Sequence, residues 1–142
     1  MISSTSKYAL RVLVALVGNE HHRFVSGADL SAATGVPSNY LAKVLGALGQ
    51  AGLVDAVRGR GGGYRLARTP HDIRLIDAVE IFEGPRTHPT CLLSIHADCS
   101  DDHPCSAHEI FRDVRSRYIA FLEDTSIAEA ASTESPSPSR TA

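Results

Sequence analysis

The chain has 142 residues, of which 43% are hydrophobic and 21% are charged, a composition typical of one globular domain. Its longest apolar run, Val12 to Val17, is far shorter than the roughly 20 residues of a membrane span, and Arg11 interrupts the only stretch that resembles a signal peptide. We therefore expect a cytoplasmic protein with no membrane partner. The net charge is -2, yet residues 1–70 carry +5 and residues 71–142 carry -7, so the basic first half is expected to face a polyanion.

The first predicted elements are three helices. Apolar residues recur at helical spacing over Tyr8–Val17, which predicts a buried helix. Ser26 can cap a short second helix, which Gly35 ends. Ser38 can cap a third helix that runs to about Ala51. Two short helices joined by a tight turn that contains glycine form a helix-turn-helix, although a simple helical hairpin has the same pattern.

A β-hairpin is predicted next. Residues 53–57 alternate as a strand does, residues 58–63 form a turn rich in glycine and arginine, and residues 64–66 form the returning strand. A hairpin directly after a helix-turn-helix is the element order of a winged helix. A helix over residues 69–82 follows, then an aperiodic loop, and finally a long helix over about residues 106–124.

The predicted fold class is mainly α, with a winged helix-turn-helix DNA-binding domain and a long C-terminal dimerisation helix. Residues 1–70 form the DNA-binding domain in this prediction. Residues 71–131 supply the connecting helix, a cysteine-bearing loop and the dimerisation helix. Residues 132–142 are polar and rich in serine and proline, so we expect a disordered tail.

The hairpin turn supplies the first candidate DNA-binding residues. Four glycines and three arginines lie between residues 58 and 65, and glycine lets a backbone approach a partner closely. Arginine suits the narrow, strongly negative minor groove of A·T-rich DNA. We therefore expect Arg58, Arg60 and Arg65 to contact DNA, the alternative being a flexible turn with solvated arginines.

The first turns of the third helix supply the second set, because recognition helices meet base edges there. The candidates are Ser38, Asn39, Tyr40 and Lys43. Asn39 can read adenine, Ser38 and Tyr40 can bind bases or phosphates, and Lys43 suits a phosphate. The alternatives are that Ser38 is a plain N-cap and that Tyr40 is partly buried.

Three cysteines and a histidine form the candidate metal site. Their spacing is Cys91-x7-Cys99-x5-Cys105-x2-His108, and an odd, clustered set of cysteines does not indicate a disulfide framework. Thiolates bind zinc and iron–sulfur clusters. The last two residues are three apart at a helix start and so share one face. The residues alone leave open an iron–sulfur cluster, a structural zinc and unligated thiols.

The last helix carries a broad apolar stripe that can pack against a second subunit or back onto its own domain. Dimerisation would place two recognition helices about one DNA turn apart, roughly 34 Å, on a near-palindrome.

Four segments together resemble one bacterial family, the winged-helix regulators that include IscR, NsrR and RirA. These segments are TSKYALRVLVAL, GVPSNYLAKVLGALGQAGLV, VRGRGGGYRLAR and CSAHEIF. The resemblance implies a homodimer that binds double-stranded operator DNA and carries an iron–sulfur cluster, with Cys91, Cys99, Cys105 and His108 as ligands. It favours [2Fe-2S] and allows [4Fe-4S]. Ala42 departs from the pattern, because IscR-like proteins have an acidic residue there that helps select DNA sites.

The function expected from the sequence is a dimeric, cluster-sensing transcription regulator, usually a repressor. The main alternative is a winged-helix regulator with structural zinc or bare redox-sensing thiols. A small electron carrier is a third reading, against which the basic first half argues. An enzyme is not expected, because the sequence has no nucleophile–base spacing and no nucleotide-binding loop.

Overall fold

The computed structural model describes residues 2–19, 23–84 and 100–132. The elements in chain order are helices α1 to α3, a hairpin of strands β1 and β2, a short 3-10 turn, and helices α4 to α6. Their bounds are α1 Ser4–Val17, α2 Gly27–Thr34, α3 Ser38–Gln50, β1 Val54–Val57, β2 Gly63–Leu66, the 3-10 turn Pro70–Asp72, α4 Leu75–Glu83, α5 His108–Asp124 and α6 Ile127–Ala131. The fold class predicted from the sequence is thus confirmed as mainly α with a winged helix-turn-helix.

The helix-turn-helix is formed by α2 and α3. The Ser26 hydroxyl accepts a hydrogen bond from the backbone N–H of Asp29 at the start of α2, and Gly35 ends that helix with a φ of 71°. Pro37 is the N-cap of α3, and no side chain caps the helix. The prediction that Ser38 caps α3 is therefore wrong: Ser38 is already helical, because Pro37 supplies the extended residue that precedes the helix.

The wing is an antiparallel pair in which Val54 faces Leu66 and Val57 faces Gly63. A third segment joins it, because Val25 and Tyr64 exchange two backbone hydrogen bonds of 2.8 Å each. The wing is thereby fastened to the segment that leads into α2.

One apolar core unites residues from both sides of position 70. Leu13, Leu30 and Leu48 contribute from the first three helices, whereas Ile73 and Ile127 contribute from the later part of the chain. The 3-10 turn and α4 replace the continuous helix predicted over residues 69–82, because Ile73 is extended and its carbonyl accepts a hydrogen bond from the Ile127 N–H. The predicted tail is described only to residue 132; the rest lies outside the described residues.

Helix α5 is largely exposed. Leu122 is buried in the core and Tyr118 packs partly against it, so the end of the helix docks on its own subunit. Ile110, Val114 and Phe121 form an apolar stripe along the same helix and are 74%, 47% and 54% exposed. Within the described residues, no helix is both long and apolar enough to cross a membrane.

Candidate nucleic-acid interface and cysteine site

The outer face of α3 is polar and exposed. Its inner face is fixed in the core by aliphatic side chains at helical spacing, which orients the opposite face outward. The inner residues are Leu41, Val44, Leu45 and Leu48. All four predicted recognition residues, Ser38, Asn39, Tyr40 and Lys43, are exposed. Tyr40 is 47% exposed, and the structure brings these four residues together on the first two turns of α3.

The three arginines of the wing lie in different environments. Arg58 and Arg60 are exposed at the hairpin turn, where Gly59 and Gly61 have φ values of 99° and 71°. Arg65 lies on β2, where its guanidinium is 4.5 Å from the Phe24 ring centroid and its Nε is 3.8 Å from an Asp55 carboxylate oxygen.

These contacts of Arg65 fit a brace between the wing and the segment before α2. They distinguish Arg65, which is half-buried, from the two exposed arginines at the turn. The glycine- and arginine-rich sequence of the turn does not predict the contact between Arg65 and Phe24, because these residues are 41 positions apart and meet only in the folded chain.

Helix α1 contributes side chains that are not among the DNA-binding residues predicted from the sequence. The rings of Tyr8 and Tyr40 are 5.8 Å apart between centroids, and the Arg11 guanidinium lies 5.9 Å from the Tyr8 centroid. The available signal was the spacing of Lys7 and Arg11, which are four residues apart and therefore share a face of α1.

The cysteine site is described only in part. Cys91 and Cys99 lie outside the described residues. Cys105 is half-buried and lies three residues before His108. The backbone N–H of His108 donates a hydrogen bond to the carbonyl of Cys105. The His108 side chain is 15% exposed, and its Nε2 lies 2.9 Å from Asp101 Oδ1. Among the described residues, no three potential ligands converge on one point.

Asp101 links the loop to helix α5. Its Oδ1 also accepts a hydrogen bond of 3.0 Å from Arg112 Nη1. The hydrogen bond with His108, followed by the hydrogen bond and charge of Arg112, lowers the pKa of the Asp101 carboxyl below its ordinary value. The carboxylate thus stays ionised while it holds both side chains.

The donor chemistry fits an iron–sulfur cluster or zinc, since thiolate and imidazole are ligands of both. Cys105 lies three residues before His108, which is the first residue of α5. Ligation through His108 Nε2 requires the bond to Asp101 to break, whereas ligation through the other ring nitrogen preserves it.

Comparison with known proteins identifies relatives along nearly the whole chain. The Rrf2 profile, described as an iron-dependent transcriptional regulator, matches residues 2–133. The HTH-type transcriptional regulator IscR of Vibrio atlanticus is 33% identical over 132 residues, which cover 90% of this chain and 73% of that protein.

Two solved structures share the fold. T. potens IscR has a TM-score of 0.71 at 26% identity and covers 92% of this chain and 85% of its own. CymR, the global cysteine regulator of B. subtilis, has a TM-score of 0.78 at 24% identity, with coverage of 95% and 98%. At 24% identity, the similarity to CymR shows a shared fold and does not show a shared function. These relatives and neighbours are transcription regulators and not enzymes.

Proposed function

Because the chain belongs to the Rrf2 family of DNA-binding transcriptional regulators, we propose that it is a homodimeric repressor whose operator affinity is set by an iron–sulfur cluster. The observation that supports this proposal most strongly is that the polar residues on the first turns of α3 and the two arginines at the wing turn are all exposed. The two surfaces match the two grooves that a winged helix contacts on one side of a duplex.

In this proposal α3 reads the major groove. Asn39 donates to and accepts from adenine, Ser38 and Tyr40 bind base edges or phosphates, and Lys43 neutralises a phosphate. The exposed Arg58 and Arg60 enter the adjacent minor groove. Arg65, the third arginine of the wing, fixes the hairpin against the segment before α2 through its contacts with Phe24 and Asp55.

The apolar stripe of α5 supports the homodimer. The stripe consists of Ile110, Val114 and Phe121, which recur at helical spacing on one side of the helix. About half or more of each side chain is exposed. Complete burial of a fully exposed apolar side chain contributes about 1.5–3 kcal/mol, and each of these part-buried side chains contributes less than that. A second copy of α5 is the partner that a two-fold symmetric interface supplies, and the two recognition helices then meet successive major grooves.

The sensor is proposed to be held by Cys91, Cys99, Cys105 and His108. A bound cluster supplies one-electron redox chemistry and reactivity towards nitric oxide. The chain's own residues connect that site to the dimer: His108 begins α5, and Asp101 joins His108 to Arg112 one turn along the helix. A change at the site thereby shifts the start of α5, and a coupling of about 1–3 kcal/mol changes operator affinity 5- to 150-fold.

Anaerobic purification followed by iron and sulfide analysis and an electronic spectrum tests the sensor. We expect both elements to be present with visible charge-transfer absorbance, and Cys99→Ala to lose that absorbance. A colourless protein free of iron, prepared without oxygen and with unchanged DNA binding, would contradict it.

The role of Asp101 is tested in the same preparation. Asp101→Asn removes the carboxylate that orients His108, so we expect iron affinity to fall about 10- to 100-fold, as for other orienting partners of metal-bound histidine. Asp102→Asn removes an exposed neighbouring carboxylate and is the matched control. Equal iron retention by both variants would show that Asp101 does not position a ligand.

A thiol sensor without a cluster is the second candidate. The bond between His108 Nε2 and Asp101 favours it, because it gives the imidazole a structural partner that needs no metal. This candidate predicts protein free of metal whose DNA binding changes with peroxide and recovers with a reductant. Zinc at one equivalent per chain would instead indicate the structural metal site.

A further inference from the structure

The outward face of α1 carries positive charge at the end that meets the recognition helix. Ser4, Lys7 and Arg11 lie three and four residues apart, so they share one side of the helix, and all three are exposed. The opposite side is held in the core by Ala9 and Leu13. We call Ser4, Lys7 and Arg11 the α1 basic face.

Aromatic contacts make this face continuous with α3. The Tyr8 and Tyr40 rings are tilted by 60° at a centroid distance of 5.8 Å, and Arg11 lies over the Tyr8 ring at 5.9 Å. Tyr40 belongs to the first turn of α3, where a recognition helix meets DNA. The α1 basic face therefore borders the surface that α3 presents to a duplex.

The charges near this face are favourable for a polyanion. Helix α1 contains no acidic residue, and the first turn of α3 contains none. Glu83 lies near the start of α1, but its carboxylate accepts hydrogen bonds from Ser3 and Ser6, and Ser6 is buried on the side away from the α1 basic face. Lys7 and Arg11 are thus directed towards solvent beside the recognition helix.

We propose that the α1 basic face is a second DNA contact, in which Lys7 and Arg11 bind backbone phosphates that flank the bases read by α3. Tyr8 is a positioning residue that supports Tyr40. The proposal rests on DNA binding through α3, and it extends the contact to phosphates beyond the recognition helix and the wing.

The salt dependence of binding tests the phosphate contacts. The probes are a duplex that the wild-type protein selects from a random-sequence pool and a scrambled duplex of the same length. Each phosphate neutralised contributes about 0.9 to the slope of log affinity against log salt concentration. We expect Arg11→Ala to reduce the slope by about 1 per protomer on both duplexes and to leave the ratio of the two affinities unchanged.

Two controls separate a local contact from general charge. Arg11→Lys keeps the positive charge and is expected to keep the slope. Arg140→Ala lowers the net charge equally, yet it is far along the sequence from α1, and we expect the wild-type slope. Equal slopes for Arg11→Ala and Arg140→Ala would overturn the phosphate contact.

The positioning role of Tyr8 has a different readout. Tyr8→Phe keeps the ring and is expected to keep the ratio of selected to scrambled affinity, whereas Tyr8→Ala lowers that ratio with little change in the salt slope. Thermal unfolding of both variants checks that they are folded. An unchanged ratio in folded Tyr8→Ala would overturn the role assigned to this ring.

Failure of the two proposals can be told apart. If the wild-type protein selects no duplex and binds scrambled DNA at no salt concentration, the proposed function fails. If the wild-type protein selects a duplex and Arg11→Ala binds it with the wild-type slope, only the contact through α1 fails.

Discussion

A methyl group at Gly63 tests how the wing is fastened to the body of the protein. Gly63 has a φ of 139°, and a Cβ built there would lie 2.2 Å from the Val25 carbonyl oxygen. Gly63→Ala must therefore separate the wing from Val25, which removes the two hydrogen bonds between Val25 and Tyr64. Gly61→Ala is the matched control, because Gly61 has a φ of 71° but open space around the added methyl group.

The expected destabilisation follows from these contacts. Two hydrogen bonds contribute about 1 kcal/mol each, and a strained backbone conformation costs about 1–3 kcal/mol. Gly63→Ala is thus expected to lose about 3–5 kcal/mol of unfolding free energy, whereas left-handed strain alone costs Gly61→Ala about 1–2 kcal/mol.

Urea denaturation followed by circular dichroism measures the difference. With a slope of about 2 kcal/mol per molar urea, the midpoint should fall by roughly 1.5–2.5 M for Gly63→Ala and by less than half of that for Gly61→Ala. Equal midpoints for the two variants would show that the close approach to Val25 does not constrain the wing.

Three further predictions concern the dimer, the base contact and the pH dependence of stability. Phe121→Asp should convert the proposed dimer to monomers in sedimentation velocity, whereas Ser116→Asp, at an exposed position on another side of α5, should not. A dimeric Phe121→Asp would contradict the proposed α5 interface. In competition binding, Asn39→Ala should lower the discrimination between the selected and scrambled duplexes by about 1–3 kcal/mol, whereas Lys43→Ala should weaken binding to both duplexes equally. The reverse pattern would contradict the base contact of Asn39 and the phosphate contact of Lys43. Burial raises the pKa of Glu83, but hydrogen bonds from serine hydroxyls and a backbone N–H outweigh burial and lower the pKa below its ordinary value. The stabilisation from Glu83 is therefore complete above the ordinary pKa and is lost as pH falls through the lower pKa of the folded state. Urea unfolding from pH 6 to pH 3 should show a loss of stability that is smaller in Glu83→Gln than in the wild-type protein, and parallel curves would contradict this role of Glu83.

Local signals made much of the fold predictable. Gly35 and Pro37 marked the turn of the helix-turn-helix, because one ends a helix in the left-handed region and the other cannot continue one. Helix α6 was missed, although Ser126 and Glu129 form a capping box whose spacing is visible in the sequence. The break at Ile73 had no local signal, since its extended backbone is fixed by pairing with Ile127, 54 positions away.

The candidate site was predictable to the extent that its residues are adjacent along the chain. The recognition residues were chosen because they lie on the first two turns of one predicted helix, and that helix is present over Ser38–Gln50. The bracing of Arg65 by Phe24 and the contact of Tyr8 with Tyr40 join distant segments, and no spacing rule reports them. The bond from His108 to Asp101 belongs to the same class, because it depends on how the loop returns to α5.

The proposed iron–sulfur cluster is expected to set the affinity for DNA. The most direct test measures binding of one anaerobic preparation to the selected duplex before and after the cluster is removed, with the oligomeric state checked in both samples. If the cluster sets the affinity, we expect the affinity to change 5- to 150-fold while the protein remains folded. Identical affinities of the two forms, in a preparation that contained stoichiometric iron and sulfide at the start, would contradict it.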